Sequence, residues 1–566
     1  MKNILKTVIS LFAAVLLIAG CQKKAETPKE VAGSFDADHN WTGEVVEISI
    51  QGIEAGAEFN DSSSTAAARY LEKKTGVKIN WLQVTNEKWA LQMSSGDLPD
   101  VVRSSPTDNR VWPPLISAGH LVDFEQYLDK WGPNLKANLS KQLAVAKAVH
   151  GGMYVFPTNT GAGAMLYYPM LKWTPYKNAG YPEIRDTGSF VQALKKMVDT
   201  KPLTDDGKRV YGLSGFIDWG NTFSFFYPWA SVLGYDSVFT FHWADYQTMD
   251  LVNQLDDDPR SVYWKAIEMM YQANQAGILD PDLFTQTWEE LSEKRNAEQI
   301  LYAHGFWDRP TIRDEDKNIL DTYAPVPWKG GSVQGGAFNY LYEMGLAITK
   351  NCKYPDAVVR LYDYTSSFDG IELIYNGVPG EEWNLVDGKP RPTDTILEAR
   401  KTGEDLTRTK GILYGGPNFL TTLSQLTVDP RYDSYVNFIM IPEIANMAYH
   451  DLEQEIVRHY GTLTMEDIIY NEIEKGNMKD MGNYNSLIPK MLPVMPTNIT
   501  RIQTNVQQLA AAEWAARVVY ARNDAEFAAL KAQAVAAFKE AGLEELNKWC
   551  QDAWAEAREK AAGLGL

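Results

Sequence analysis

Three short segments set an indole beside carboxylate, amide or guanidinium groups, the side-chain set that holds a polyhydroxylated solute. They are Phe216-Ile217-Asp218-Trp219-Gly220-Asn221, Gly305-Phe306-Trp307-Asp308-Arg309-Pro310 and Asp108-Asn109-Arg110-Val111-Trp112. A sugar ring presents C–H patches that an aromatic face covers and hydroxyls that planar polar groups satisfy. The first two segments follow strand-like runs, where ligand loops gather. The candidate ligand-binding residues are therefore Trp307, Trp219, Asp308, Arg309, Asn221, Asp218, Asp108, Arg110 and Trp112, joined by Trp383 and Glu381 further along the chain. Each has a plainer alternative. The tryptophans could be half-buried packing residues, Asp108 and Arg110 a surface ion pair of little energetic weight, and Trp383 part of a packed turn.

The sequence offers no matching set for bond-breaking chemistry. Gly212-Leu213-Ser214-Gly215-Phe216 lacks the second glycine of a nucleophile elbow. No His-Glu-x-x-His zinc helix occurs among the seven histidines, and Gly161-Ala162-Gly163-Ala164 lacks the Lys-Ser/Thr of a phosphate loop. Glu381 and Glu382 are neighbours in sequence, not carboxylates facing each other across a glycosidic bond. A binding protein that is not an enzyme is expected, with no cofactor and no metal. The rivals are a secreted polysaccharide-active enzyme and a cell-surface adhesion lipoprotein, although the repeats common in the latter are not visible.

The elements that must carry these residues begin behind a leader. Lys2 and Lys6 precede an apolar run from Val8 through Ile18, then Ala19, Gly20 and Cys21. That pattern is a secretory signal peptide, too short for the roughly 20 apolar residues of a membrane span. Leu17-Ile18-Ala19-Gly20-Cys21 resembles a bacterial lipobox, which implies cleavage before Cys21 and acylation of its thiol. Gln22 to His39 is a polar, proline-containing tether. The net charge of −19 becomes more negative once the two leader lysines are removed, so nucleic acid is not an expected partner. Cys352 and Cys550 remain, and spacing does not say whether they pair. The 17 Trp and 29 Tyr are more than cores alone require, so some line a surface or cleft.

Roughly 520 residues after the tether exceed one ordinary core, which predicts at least two lobes. Val46, Ile48 and Ile50 alternate as a first strand, and Ser62, Ser63 or Ser64 caps a helix that ends at Gly76. Val77, Ile79 and Trp81 form a second strand, Glu87 to Ser94 a helix, and Val101-Val102 a third strand. This βαβαβ order predicts a mostly parallel sheet with ligand loops at the carboxyl ends of its strands. Further on, the patterning predicts a strand at 153–157, helices at 189–199 and 261–276, and strands at 210–213, 299–304 and 346–348. Helices are expected at 355–364 and 369–375. The Ala/Glu/Lys-rich tail from Asn505 to Ala562 reads as three helices, broken near Asn523-Asp524 and at Gly542.

Six landmarks in order resemble the extracellular solute-binding proteins of family 1, in particular LipO-like lipoproteins of carbohydrate importers. They are the lipobox; Ser95-Gly96-Asp97-Leu98-Pro99-Asp100; Ile116 to Asn134; Gly152-Met153-Tyr154-Val155-Phe156-Pro157; Gly377-Val378-Pro379-Gly380-Glu381-Glu382-Trp383; and the tail ending near Gln551-Asp552-Ala553-Trp554. The resemblance implies the class II periplasmic-binding α/β fold, in which two α/β lobes joined by a hinge enclose ligand in an inter-lobe cleft, with a C-terminal helical segment. Its lobes would be 41–163 plus 340–378 and 164–339 plus 379–566, after a signal peptide at 1–20 and a lipidated tether at 21–40. It implies a monomer on the extracytoplasmic face of the cell membrane, attached through its lipid alone, delivering a carbohydrate to the permease subunits of an ABC importer. It also implies that Trp307 stands where relatives place a stacking tryptophan. One departure is the absence of a calcium loop: Leu203-Thr204-Asp205-Asp206-Gly207-Lys208 has too few ligand oxygens at alternating positions.

Overall fold

The computed structural model describes residues 28–54, 64–104, 111–158, 168–217, 229–315, 318–333, 344–413, 419–481 and 487–564. The expected leader, Cys21 and the first part of the expected tether lie outside them. The chain forms two compact units. The first falls within Met1–Thr160, Leu341–Ile396 and Glu404–Asn437, the second within Gly161–Tyr340, Leu397–Gly403 and Phe438–Leu566. The expected lobes assigned 379–396 and 404–437 to the second body, whereas these stretches fall in the first unit. The reason is side-chain pairing: Arg431 reaches Glu372 and Asp429, and Asn376 donates to the Val436 carbonyl at 2.7 Å.

The first unit is built on a five-stranded sheet in the order Val77–Val84, Val46–Glu54, Val101–Ser104, Met344–Ile348, Phe156–Thr158. The first three are parallel, with Val46 opposite Val77 and Ile50 opposite Val101. Met344–Ile348 is antiparallel to both its neighbours. The alternation read from sequence places Val46, Ile48 and Ile50 in the core. Helix Ala66–Thr75 is capped by Thr65, whose hydroxyl accepts from the Ala68 amide, one residue beyond the expected serines. Gly76 closes it at φ 65°, and a Cβ there would stand 2.1 Å from the Trp41 ring. Beside it the Arg360 guanidinium lies over Trp41 at 3.6 Å and Trp131 at 5.1 Å.

One predicted strand is displaced and another does not form. The strand expected at 153–157 forms at Phe156–Thr158, because the Met153 carbonyl accepts from the Phe124 amide instead of joining the sheet. Pro157, which has no N–H to donate, lies in this strand. No strand forms at 210–213. Its backbone divides its bonds between two segments, Tyr211 donating to Gln299 and Gly212 to Ile278.

The second unit holds a three-stranded antiparallel sheet in the order Tyr323–Pro325, Met170–Lys172, Tyr302–Ala303. Helices Thr187–Thr200 and Val262–Gln275 start at side-chain caps, Asp186 and Ser261. The tail breaks where expected, giving Asp524–Glu540 and Leu543–Gly563, but its first helix begins earlier, at Thr497, and passes through a π-helical turn at Leu509–Trp514. Tyr263 fixes that turn by donating to the Ala510 carbonyl at 3.0 Å. Among the described residues no helix is long and apolar enough to cross a membrane. Cys352 and Cys550 are buried free thiols, and burial pushes the Cys550 thiol up to about 12.

Candidate functional site

In the second unit, strand Tyr302–Ala303 runs through His304 and Gly305 into a single 3-10 turn, Phe306–Asp308. Trp307 is the middle residue of that turn, and its side chain lies outside the described residues. Beneath the turn sits a buried ionic cluster. Asp308 takes a charge-assisted bond from Arg295 through Oδ1, and its Oδ2 accepts from the His304 amide at 3.0 Å. His304 Nδ1 stands 2.8 Å from both Asp308 Oδ2 and Arg295 Nη2, so one imidazole tautomer donates to the carboxylate and the other accepts from the guanidinium. Burial holds the His304 imidazole below its ordinary range, against the pull of Asp308. Side-chain exposure is 2% for Arg295 and 3% for Asp308, so the turn is tied to the core by bonds that water does not contest.

Arg309, next in sequence, leaves the turn in another direction. Its guanidinium pairs with Glu453 at 2.9 Å and also meets the Met465 thioether. Glu453 is held by its place in a capping box with His450 at the start of helix Asp451–Tyr460. Nearby, Glu466 opens helix Glu466–Glu474, and burial raises its carboxyl above the usual range while Arg309 opposes the shift.

The segment that follows residues 210–213 is also anchored by buried polar bonds. Ser214 donates to Asp280 at 2.7 Å, Gln286 bonds Ser214 and the Gly215 carbonyl, and Lys294 lies 2.9 Å from Asp280. Phe216 is fully buried against Trp288, and the Ile217 amide donates to Gln286. Asp218, Trp219 and Asn221, the residues this stem leads to, lie outside the described residues.

In the first unit, Asp108 and Arg110 also lie outside the described residues. Trp112 begins helix Trp112–Ser117 and is 1% exposed, its ring edge-on to His150 at 6.1 Å. Trp383 begins hairpin strand Trp383–Val386 and donates its indole N–H to the Gly377 carbonyl at 3.1 Å. Glu381 is exposed, while the adjacent Glu382 is buried and accepts from the Val378 amide at 2.9 Å.

Residues 56–367 match the model of the bacterial extracellular solute-binding proteins. The chain belongs to that family. Among curated relatives, the fructooligosaccharide ABC transporter substrate-binding protein FusA of Streptococcus pneumoniae is 23% identical over 355 residues, which span 57% of this chain and 61% of that protein. The solved structure of S. pneumoniae FusA in complex with kestose superposes with a TM-score of 0.57 at 16% identity, over 91% of this chain and all of the other. An extracellular solute-binding protein from Bifidobacterium longum subsp. infantis gives the same TM-score and identity over 93% of this chain and all of the other. These likenesses are of fold, and they agree with the two α/β units of this solute-binding protein.

Sequence reasoning missed Arg295, His304, Glu453 and Glu466. Arg295 sits in helix Trp288–Asn296 and Glu453 in a capping box opened by histidine, so neither carries a local signal of proximity to 306–309. Among the described residues no cluster of three or more His, Cys, Asp or Glu could hold a metal ion. In the segment compared with a calcium loop, Asp205 pairs with Lys201 and Asp206 with Lys208.

Proposed function

We propose that this solute-binding protein captures a carbohydrate outside the cytoplasmic membrane and delivers it to the permease subunits of an ABC importer, without acting on it chemically. The observation that carries this reading is the Phe306–Asp308 turn, a strand-end platform with a tryptophan at its centre and a buried ion-pair base. An indole on a rigid base loses little freedom when a sugar face stacks on it, so more of the stacking energy appears as affinity. Arg309, with Glu453 as its counter-ion, supplies a fixed fork of donors for hydroxyls. Trp219, Asn221, Asp218, Asp108, Arg110 and Glu381 complete the proposed ligand-binding set; Asp308 acts through the turn it holds, and the expected contacts Trp112 and Trp383, both buried, act instead as packing residues. Affinity that differs between conformations shifts their populations, and the importer reads the ligand-bound one. Acylated Cys21 is the proposed membrane anchor, and the protein works as a monomer.

Calorimetry against a panel of neutral oligosaccharides tests this, beginning with fructooligosaccharides because a relative is named for them. Trp307→Ala is expected to weaken binding at least tenfold, about 1.5 kcal/mol, with folding intact. Unchanged affinity removes Trp307 from the site. Silence across the whole panel removes the carbohydrate assignment.

A further inference from the structure

The second unit contains a cavity of about 440 Å³ that none of the candidate residues lines. Its size falls in the roughly 300–1,000 Å³ range of small-molecule sites. Five charged residues line it: Arg185, Asp186, Asp245, Lys265 and Lys479. Their partners separate them. Arg185 is paired with Glu183. Asp186 caps helix Thr187–Thr200, and Asp245 accepts from the Gln247 and Thr248 amides through Oδ1 at 2.8 and 3.0 Å. The ammonium groups of Lys265 and Lys479 have no hydrogen-bond or ion-pair partner among the described residues.

Lys265 is the informative one. It is half-buried on helix Val262–Gln275, between the fully buried Trp264 and Ala266. Burial holds its ammonium below the usual lysine range, and only the more distant field of Asp258, itself bonded to Arg260, opposes this. A partly desolvated cation on a residue that lines a cavity is relieved by an anion placed there. The remaining lining narrows the choice of anion. Asp186 and Asp245 repel a dianion such as phosphate, but their oxygens and the Gln247 amide suit hydroxyls. Trp328, Val232 and Met481 give an apolar wall suited to the C–H face of a ring.

From this arrangement we infer a second binding site, specific for a polyhydroxylated monocarboxylate of the hexuronate type, with its carboxylate on Lys265 and Lys479 and its hydroxyls on Asp245 and Gln247. The site is built wholly from the second unit and does not depend on the importer reading or on Trp307.

Calorimetric titration of the full chain with sodium D-glucuronate tests it, with D-glucose and sodium acetate as controls. Saturable binding of glucuronate is expected, at least tenfold tighter than either control. Lys265→Met is expected to weaken it at least tenfold, Lys479→Met by less, and Lys265→Arg to retain most of it, while thermal melts of all three stay close to the parent. Neutral-oligosaccharide binding is unchanged in Lys265→Met, and Trp307→Ala leaves glucuronate binding unchanged, so each site fails or stands alone. Absence of glucuronate heat, equal affinity in Lys265→Met, or acetate or glucose binding as tightly as glucuronate overturns the inference.

Discussion

In each unit an arginine anchors a cluster of charged groups, and the two clusters differ in how much water reaches them. In the second unit Arg295 and Asp308 are 2% and 3% exposed and share His304, beneath the turn that carries Trp307. In the first, Arg431 is 40% exposed and fans out to Asp369, Glu372 and Asp429, the last two 2% and 0% exposed. The buried cluster balances one guanidinium against one carboxylate and a neutral imidazole. The open one has more acids than its arginine can neutralise, and it resolves the excess with a proton: burial and the neighbouring Asp429 push Glu372 up to about 9, while Asp429 itself stays below its usual range. A sealed network holds geometry, whereas a half-open one stores sensitivity to pH.

The largest effect that would break this contrast is at Asp308. Asp308→Ala strands a buried guanidinium and is expected to cost about 3–5 kcal/mol of stability. Denaturant unfolding measures it, and a loss below about 1 kcal/mol would mean the cluster does not hold the turn. Glu372 gives the next effect. Its folded-state affinity for a proton exceeds that of the unfolded chain, so its contribution is whole below the unfolded carboxyl range and is lost as pH rises towards 9. The parent should therefore lose up to about 1.4 kcal/mol per pH unit across that window. Glu372→Gln should flatten the profile, and parallel melting curves from pH 5 to 9 would contradict the shared proton. The smallest effect calibrates the scale. Lys195 and Asp199 form an exposed pair one helical turn apart, and Lys195→Ala should change stability by no more than about 0.5 kcal/mol.

Much of the first unit was legible because its signals are local. Alternating Val46, Ile48 and Ile50 can bury only one face, and Gly76 and Gly96 end their helices in the left-handed conformation that favours glycine. The strand at Phe156–Thr158 was misplaced by three residues because a tertiary bond, Phe124 to Met153, claimed the backbone first. The platform of the proposed site was half legible. A strand end followed by Phe306-Trp307-Asp308-Arg309 marked the place, but Asp308 reads from its neighbours as a ligand contact, whereas its oxygens are engaged by Arg295 and His304. Trp112 likewise carried no local sign that its indole would be enclosed.

What the sequence by itself determined is the acidic balance and much of the order of strands and helices, since each depends on composition or on periodicity over a few neighbouring residues. Only the tertiary structure decided which charges come together. Glu372 and Arg431 are 59 residues apart, and Lys265 and Lys479 reach one cavity from separate elements. Such pairings arise when distant segments pack, and short-range patterning holds no record of them.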